Sequence, residues 1–158
     1  MILLDPMQLE LRPEELAREA RARFGQELRR LGVFTQLCLL GAETCLERSG
    51  TSGSLGVLLA TAHGARSAVQ AALAEVMPFT FIATQTHLAG ALLARRHAVV
   101  RASCVYLEAE DWPGLQRMAQ AWLASCERVA LGWVEEAGGD APHVSRWQLA
   151  VRDSHRRA

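Results

Sequence analysis

The chain has 158 residues and a formal net charge of zero, with 50% hydrophobic, 22% charged and 6% aromatic residues, the composition of one globular domain with a sizeable core. Seventeen acidic side chains balance seventeen basic ones, all of them arginine, so nothing electrostatic favours nucleic acid or an anionic membrane surface as a partner. Neither Lys nor Asn occurs, which excludes a Schiff-base lysine, a P-loop lysine and N-linked glycosylation.

Met1 to Pro6 carries Asp5 and no basic stretch, so no secretory signal is expected and the compartment is read as cytoplasmic. Leu11 to Arg30 reads as a charged helix: Pro13 sits in its first turn, Glu14 and Glu15 at its positive end, Arg29 and Arg30 at its negative end. Val33 to Arg48 follows as a more apolar helix, with Phe34, Leu37, Cys38, Gly41 and Cys45 at three- and four-residue spacing and Gly50 as its stop. Leu55 to Thr61 is a short continuous apolar run between turn residues, the pattern of a strand covered on both faces. Ala65 to Val76 is a third helix, Phe79 to Thr84 is irregular, and Thr86 to Arg96 is a helix of small residues. Ala98 to Tyr106 is a second strand, Pro113 to Ser125 a helix, Arg128 to Val134 a third strand and Val144 to Val151 a fourth. No run reaches the roughly 18 apolar residues a membrane helix needs. The alternation predicts an α/β domain, residues 1–158, with a mixed sheet of four to five strands covered by helices, its core at about 25–152 and a frayed tail at 154–158.

Cys38, Cys45, Cys104 and Cys126 form no CxxC pair, and no two histidines share ligand spacing, so neither a metal nor a cofactor is expected. His63 ends a strand beside Gly64, where ligands meet α/β sheets; the plainer reading is a turn histidine bonded to backbone. His87 fits a helix-capping cluster with Thr84, Gln85 and Thr86. His97, His143 and His155 read as surface or loop residues. Glu135 and Glu136 read as solvated residues at a strand end, and Trp112, Trp122, Trp133 and Trp147 as core or interface anchors.

Several stretches, in order, resemble the N-terminal half of β-ketoacyl synthases. They are Arg29-Arg30-Leu-Gly-Val-Phe-Thr-Gln-Leu-Cys, the strand and turn ending in Ala60-Thr-Ala-His-Gly64, and Met77-Pro-Phe-Thr-Phe81 running to His87-Leu-Ala-Gly90. Ala109-Glu-Asp-Trp112 and Gly114 through Glu136 are similar to the helix and strand that follow the family's catalytic elbow. The resemblance covers residues 25 to 152 and is nearest to small chain-length-factor-like members found with aryl-polyene and other type II fatty-acid or polyketide systems. It implies a single half of a thiolase-like fold.

Decarboxylative condensation needs a thiolate at a strand-to-helix elbow, where the helix N-terminus lowers its pKa. It also needs histidines that the family supplies from its other half. Here the resemblance puts Asp111 at the nucleophile's position, and an aspartate there caps the helix instead. Cys104, in Ala102-Ser103-Cys104, mimics the family's nucleophile motif, but Val105, Tyr106 and Leu107 continue a strand where an elbow needs small residues. The resemblance therefore implies a non-catalytic subunit working with a ketosynthase and an acyl carrier protein. Two alternatives stand beside it: a small acyltransferase or thioester hydrolase using Cys104 or His63, and a carrier-binding scaffold whose Arg95, Arg96 and Arg101 meet an acidic carrier. The family's dimer strand corresponds to Ala98–Tyr106; its apolar positions Val99, Val100, Ala102, Cys104 and Tyr106 call for cover by a second copy or a ketosynthase subunit.

Overall fold

The computed structural model describes residues 1–25, 31–75 and 82–153. In chain order these form β1 (Ile2–Leu3), β2 (Met7–Leu11), α1 (Pro13–Phe24), α2 (Val33–Ser49), β3 (Leu55–Thr61), α3 (Arg66–Ala74), α4 (Leu88–Ala94), β4 (Val99–Tyr106), α5 (Trp112–Trp122), β5 (Arg128–Glu135) and β6 (His143–Val151). The strands make one mixed sheet in the order β1-β6-β5-β3-β4, with β2 also paired to β6. β3 runs parallel to both β4 and β5, while β6 is antiparallel to β5, β1 and β2.

The expected α/β class and mixed sheet are present. β3 is buried at every position and β5 at all but Glu135, as continuous apolar runs in central parallel strands require. Two layers cover the sheet. On one face α2, with eleven buried residues, packs with α1 and α4 against Leu55, Val57, Leu59 and Trp147. On the other, α5 lays Leu115, Ala119 and Trp122 over Leu58, Ala60 and Leu131.

Trp147 is the fully buried centre of the first layer. Its indole N–H donates to Ser145 Oγ at 2.9 Å, and that hydroxyl donates to the Leu37 carbonyl at 3.0 Å. The ring lies between Gly41 of α2 and Gly132 of β5, where an added Cβ would sit 2.1 Å and 2.6 Å from indole atoms. Helix and strand approach the ring this closely because both positions lack a side chain.

Several expectations change. The first helix spans Pro13–Phe24 rather than 11–30: Gly25 closes it at φ 67°, and Leu11 belongs to β2. Residues 26–30, including Arg29 and Arg30, lie outside the described residues, as do 76–81 within the expected irregular segment and the tail 154–158 with His155. The sheet has six strands rather than four or five, because β1 and β2 add an outer edge to β6. Met7, Leu16 and Ala20 of these first elements join the buried cluster under α2. Met7, Leu9 and Leu11 show the inward alternation of a strand, a signal masked by its run into the charged helix.

Candidate functional site

The carboxyl ends of β3, β4 and β5 lie side by side. The chain leaves β3 for α3 on one face of the sheet and β4 for α5 on the other, the topological arrangement at which ligands meet open α/β sheets. Four loops and strand ends gather at this end of the sheet: Thr61 to Gly64, Tyr106 to Asp111, Thr86, and the pair Glu135–Glu136.

The two glutamates do more than solvate a strand end. Glu136 is buried, with 5% of its surface exposed. Its Oε1 accepts from the Phe34 N–H at 2.8 Å and its Oε2 from the Ser67 N–H at 2.6 Å. One carboxylate thereby caps the first turns of α2 and α3, whose own cap positions, Gly32 and Ala65, offer no side-chain acceptor. Glu135 turns the other way. Its Oε1 accepts from Thr61 Oγ1 at 3.0 Å and from the Ala62 N–H, and its Oε2 meets His63 Nδ1 at 3.1 Å. Thr61 Oγ1 in turn accepts from the Gly64 N–H at 2.9 Å. Sequence reading missed both roles. The available signal was two helices beginning at Gly32 and Ala65 without Ser, Thr or Asp, close in the fold to a strand ending in two acids.

His63 projects from this turn with its imidazole 62% exposed. Its partner is a carboxylate rather than backbone. Tyr106, at the end of β4, lies over Gly64, where a Cβ would come within 2.7 Å of its hydroxyl; that hydroxyl reaches Thr86 Oγ1 at 3.5 Å. His87 takes the cap position of α4, but its side chain makes no capping hydrogen bond. His97 is mostly covered and paired with the buried Glu43 at 3.1 Å, beside Arg96 at 3.0 Å. His143 is buried, not at the surface; its Nδ1 accepts from the Ala137 N–H at 3.1 Å. Burial pushes its pKa below the usual histidine value, and Glu136 partly offsets this.

At the end of β4 the turn into α5 is organised by carboxylates. Asp111 is the N-cap of α5, its Oδ1 accepting from the Gly114 N–H at 2.9 Å. Glu110 accepts from the Trp112 indole at 2.5 Å and pairs with Arg146. Cys104 is two residues short of the strand end. It points to the α2–α4 side, away from the α5 cap, and lines a small apolar cavity of ≈ 30 Å³ with Cys38, Thr86, His87, Ala89 and Gly90. Burial pushes its thiol pKa up, a hydrogen bond from Thr86 partly opposing; burial likewise raises Cys38, which lies against it. Such a thiol holds little thiolate at neutral pH. Cys104 should therefore react with iodoacetamide at least tenfold more slowly than free cysteine at pH 7.5, a difference that mass spectrometry of the tryptic peptide reads directly; alkylation within minutes would contradict it.

The three arginines of the small-residue helix and edge strand are exposed, and two are engaged. Arg96 pairs with Glu43 and lies 5.1 Å from the Phe24 ring centroid, and Arg101 lies 4.3 Å over Trp122. β4 pairs only with β3 among the described residues and is the open edge of the sheet. Val99, Ser103, Cys104 and Val105 are partly covered, Arg101 and Ala102 exposed, and Val100 and Tyr106 are 59% and 61% exposed. Among the described residues no three His, Cys, Asp or Glu side chains are placed to hold a metal, and no helix is long and apolar enough to cross a membrane.

The chain carries the thiolase-like fold seen in solved ketosynthase and chain length factor structures. It is similar over 97% of its length, and over 79% of the other chain, to a chain in the complex of a ketosynthase with its chain length factor from Xenorhabdus doucetiae, at 14% identity and a TM-score of 0.64. The ishigamide ketosynthase/chain length factor matches 87% of this chain, again at 14% identity, with a TM-score of 0.59. This chain spans about half, 48%, of the length of that one. No family model and no curated protein matches the sequence.

Proposed function

We propose that the chain is a non-catalytic, chain-length-factor-like subunit that acts with a ketosynthase and an acyl carrier protein in type II fatty-acid or polyketide assembly of the aryl-polyene kind. The observation that carries this reading is the elbow. In a ketosynthase-type fold, the turn where a thiolate would gain from the helix N-terminus holds Asp111, and its carboxylate is already bonded to that N-terminus. An aspartate engaged as this cap offers no thiolate to carry an acyl group through condensation. Cys104, half-buried on the opposite face of the sheet with its thiol pKa pushed up by burial, is poorly placed to take over that role. The similar solved structures are both described as a ketosynthase with a chain length factor, which supports a ketosynthase as the partner.

In this reading the β4 edge, with Val99, Val100, Ala102, Cys104 and Tyr106, receives the partner's strand, and Arg95, Arg96 and Arg101 face the acidic carrier protein. Co-expression with a ketosynthase tests it. The pair should co-purify and extend malonyl units on the carrier protein, with Cys104→Ala leaving the rate within twofold. Val100→Asp, a change at a largely exposed position, should abolish co-purification while leaving the circular-dichroism spectrum intact. Acyl transfer by this chain without a ketosynthase, lost in Cys104→Ala, would replace the proposal with an acyltransferase.

A further inference from the structure

One buried titratable group stands apart from the partner edge and the elbow. His143 is the first of three alternate positions of β6, His143, Ser145 and Trp147, that turn inward; the other two meet α2 at the Leu37 carbonyl and at Gly41. It is buried, and the Ala137 N–H donates to its Nδ1 at 3.1 Å, which closes the turn between β5 and β6. A backbone amide can only donate, so Nδ1 carries no proton and the ring's single N–H is on Nε2. That nitrogen is buried with no hydrogen-bond partner among the described residues. One bond, made by one protonation state, holds the ring and the turn together.

A second proton has no place here. On Nδ1 it would face the Ala137 N–H, donor against donor, and the cation would be cut off from water. The surrounding charges give it little. Glu136, at the end of β5, acts on it favourably, but both oxygens of that carboxylate already accept from Phe34 and Ser67. Across the strand pair lies Leu11 of β2, flanked by the exposed Glu10 and Arg12. α2 brings the uncharged Val33 to Gln36 and then Cys38, a thiol that burial keeps protonated. The turn itself holds Asp140, which is exposed. A charged His143 has two outlets. It can leave for water, which opens the turn, or it can draw Glu136 away from the two helix starts.

We propose that His143 is an acid-released latch on the β5–β6 turn: the neutral ring holds Ala137, and protonation opens the turn and competes for the carboxylate that caps α2 and α3. The unfolded chain binds this proton near the ordinary histidine value, about 6.5, and the folded chain only at lower pH. The stability the latch contributes is therefore complete above about pH 6.5 and declines as pH falls below it. The latch acts within the chain itself and needs no ketosynthase partner.

His143→Asn tests it, because the amide oxygen can accept from Ala137 as Nδ1 does but does not titrate. Hydrogen exchange, corrected for the intrinsic effect of pH, is followed by mass spectrometry. Between about pH 7.5 and 5, wild-type protection in residues 137–143 and in the first turns of α2 and α3 should fall roughly tenfold. In His143→Asn it should change by less than about twofold. An equal fall in both proteins overturns the latch, as does constant protection in the wild type. A fall in the turn alone overturns the competition for Glu136. If the variant does not fold, nitrogen NMR of the wild-type ring decides. Nδ1 should be without a proton at about pH 7.5, and His143 should titrate below free histidine; a proton on Nδ1 or an ordinary midpoint overturns the latch.

Discussion

Replacing Gly132 by alanine should lower the melting temperature by on the order of 10 °C. The new methyl would lie 2.6 Å from two carbons of the Trp147 ring and 2.8 Å from a third, and that ring has no room to retreat. It is fully buried, its N–H is fixed on Ser145, and its other side is against Gly41. Overpacking a rigid core position costs about 1–3 kcal/mol, and the upper end applies where the neighbour is an aromatic ring held by a hydrogen bond. At roughly 2–4 °C per kcal/mol for a chain of this size, the shift follows. A second substitution identifies the cause. Trp147→Leu is itself destabilising, but in that background Gly132→Ala should cost much less, so the double variant is more stable than the sum of the single effects. Additive losses, or a melting temperature lowered by less than 2 °C in Gly132→Ala, would show that the ring is not the obstacle.

The second large effect is at Glu136. Glu136→Ala removes the acceptor for the Phe34 and Ser67 N–H groups together, leaving two donors without partners at the starts of two helices. Hydrogen bonds to a charged group contribute about 1.5–3 kcal/mol each, so the expected loss is about 3–5 kcal/mol, among the largest for one side chain. Glu136→Gln keeps one carbonyl oxygen and should recover roughly half. Denaturant unfolding of the three proteins gives the order wild type, Gln, Ala. Hydrogen exchange should place the loosened amides in the first turns of α2 and α3. If exchange rose only around β5, the double cap would have no energetic meaning.

Elements with their own periodicity were legible in the sequence. β3 matched from Leu55 to Thr61 because a buried parallel strand is a continuous apolar run between turn residues, and α2 matched because Gly32 and Gly50 bracket it. The outer strand at Met7–Leu11 was not legible. Its alternation is short, one face is solvated, and the helix after it starts without a break long enough to mark a boundary. Asp111 was placed at the elbow by the resemblance, and its cap is local, with Gly114 three residues on as the donor. Glu136 and His143 were not legible. Glu136 bonds residues 102 and 69 positions away in the sequence, and His143 opens an inward-alternating strand that began one residue before the expected boundary. A charged or polar residue at a strand end looks the same in sequence whether it meets solvent or two helix termini, and only the fold separates the two.

The two borders of the sheet are unlike each other. On the far side, Asp5 and Pro6 interrupt the ladder, leaving a two-residue and a five-residue segment on β6, and proline there has no amide hydrogen to offer an incoming chain. Among the described residues β4 is thus the one unbroken border of the sheet, running from Val99 to Tyr106, and a chain that extends the sheet by backbone pairing has to do so there.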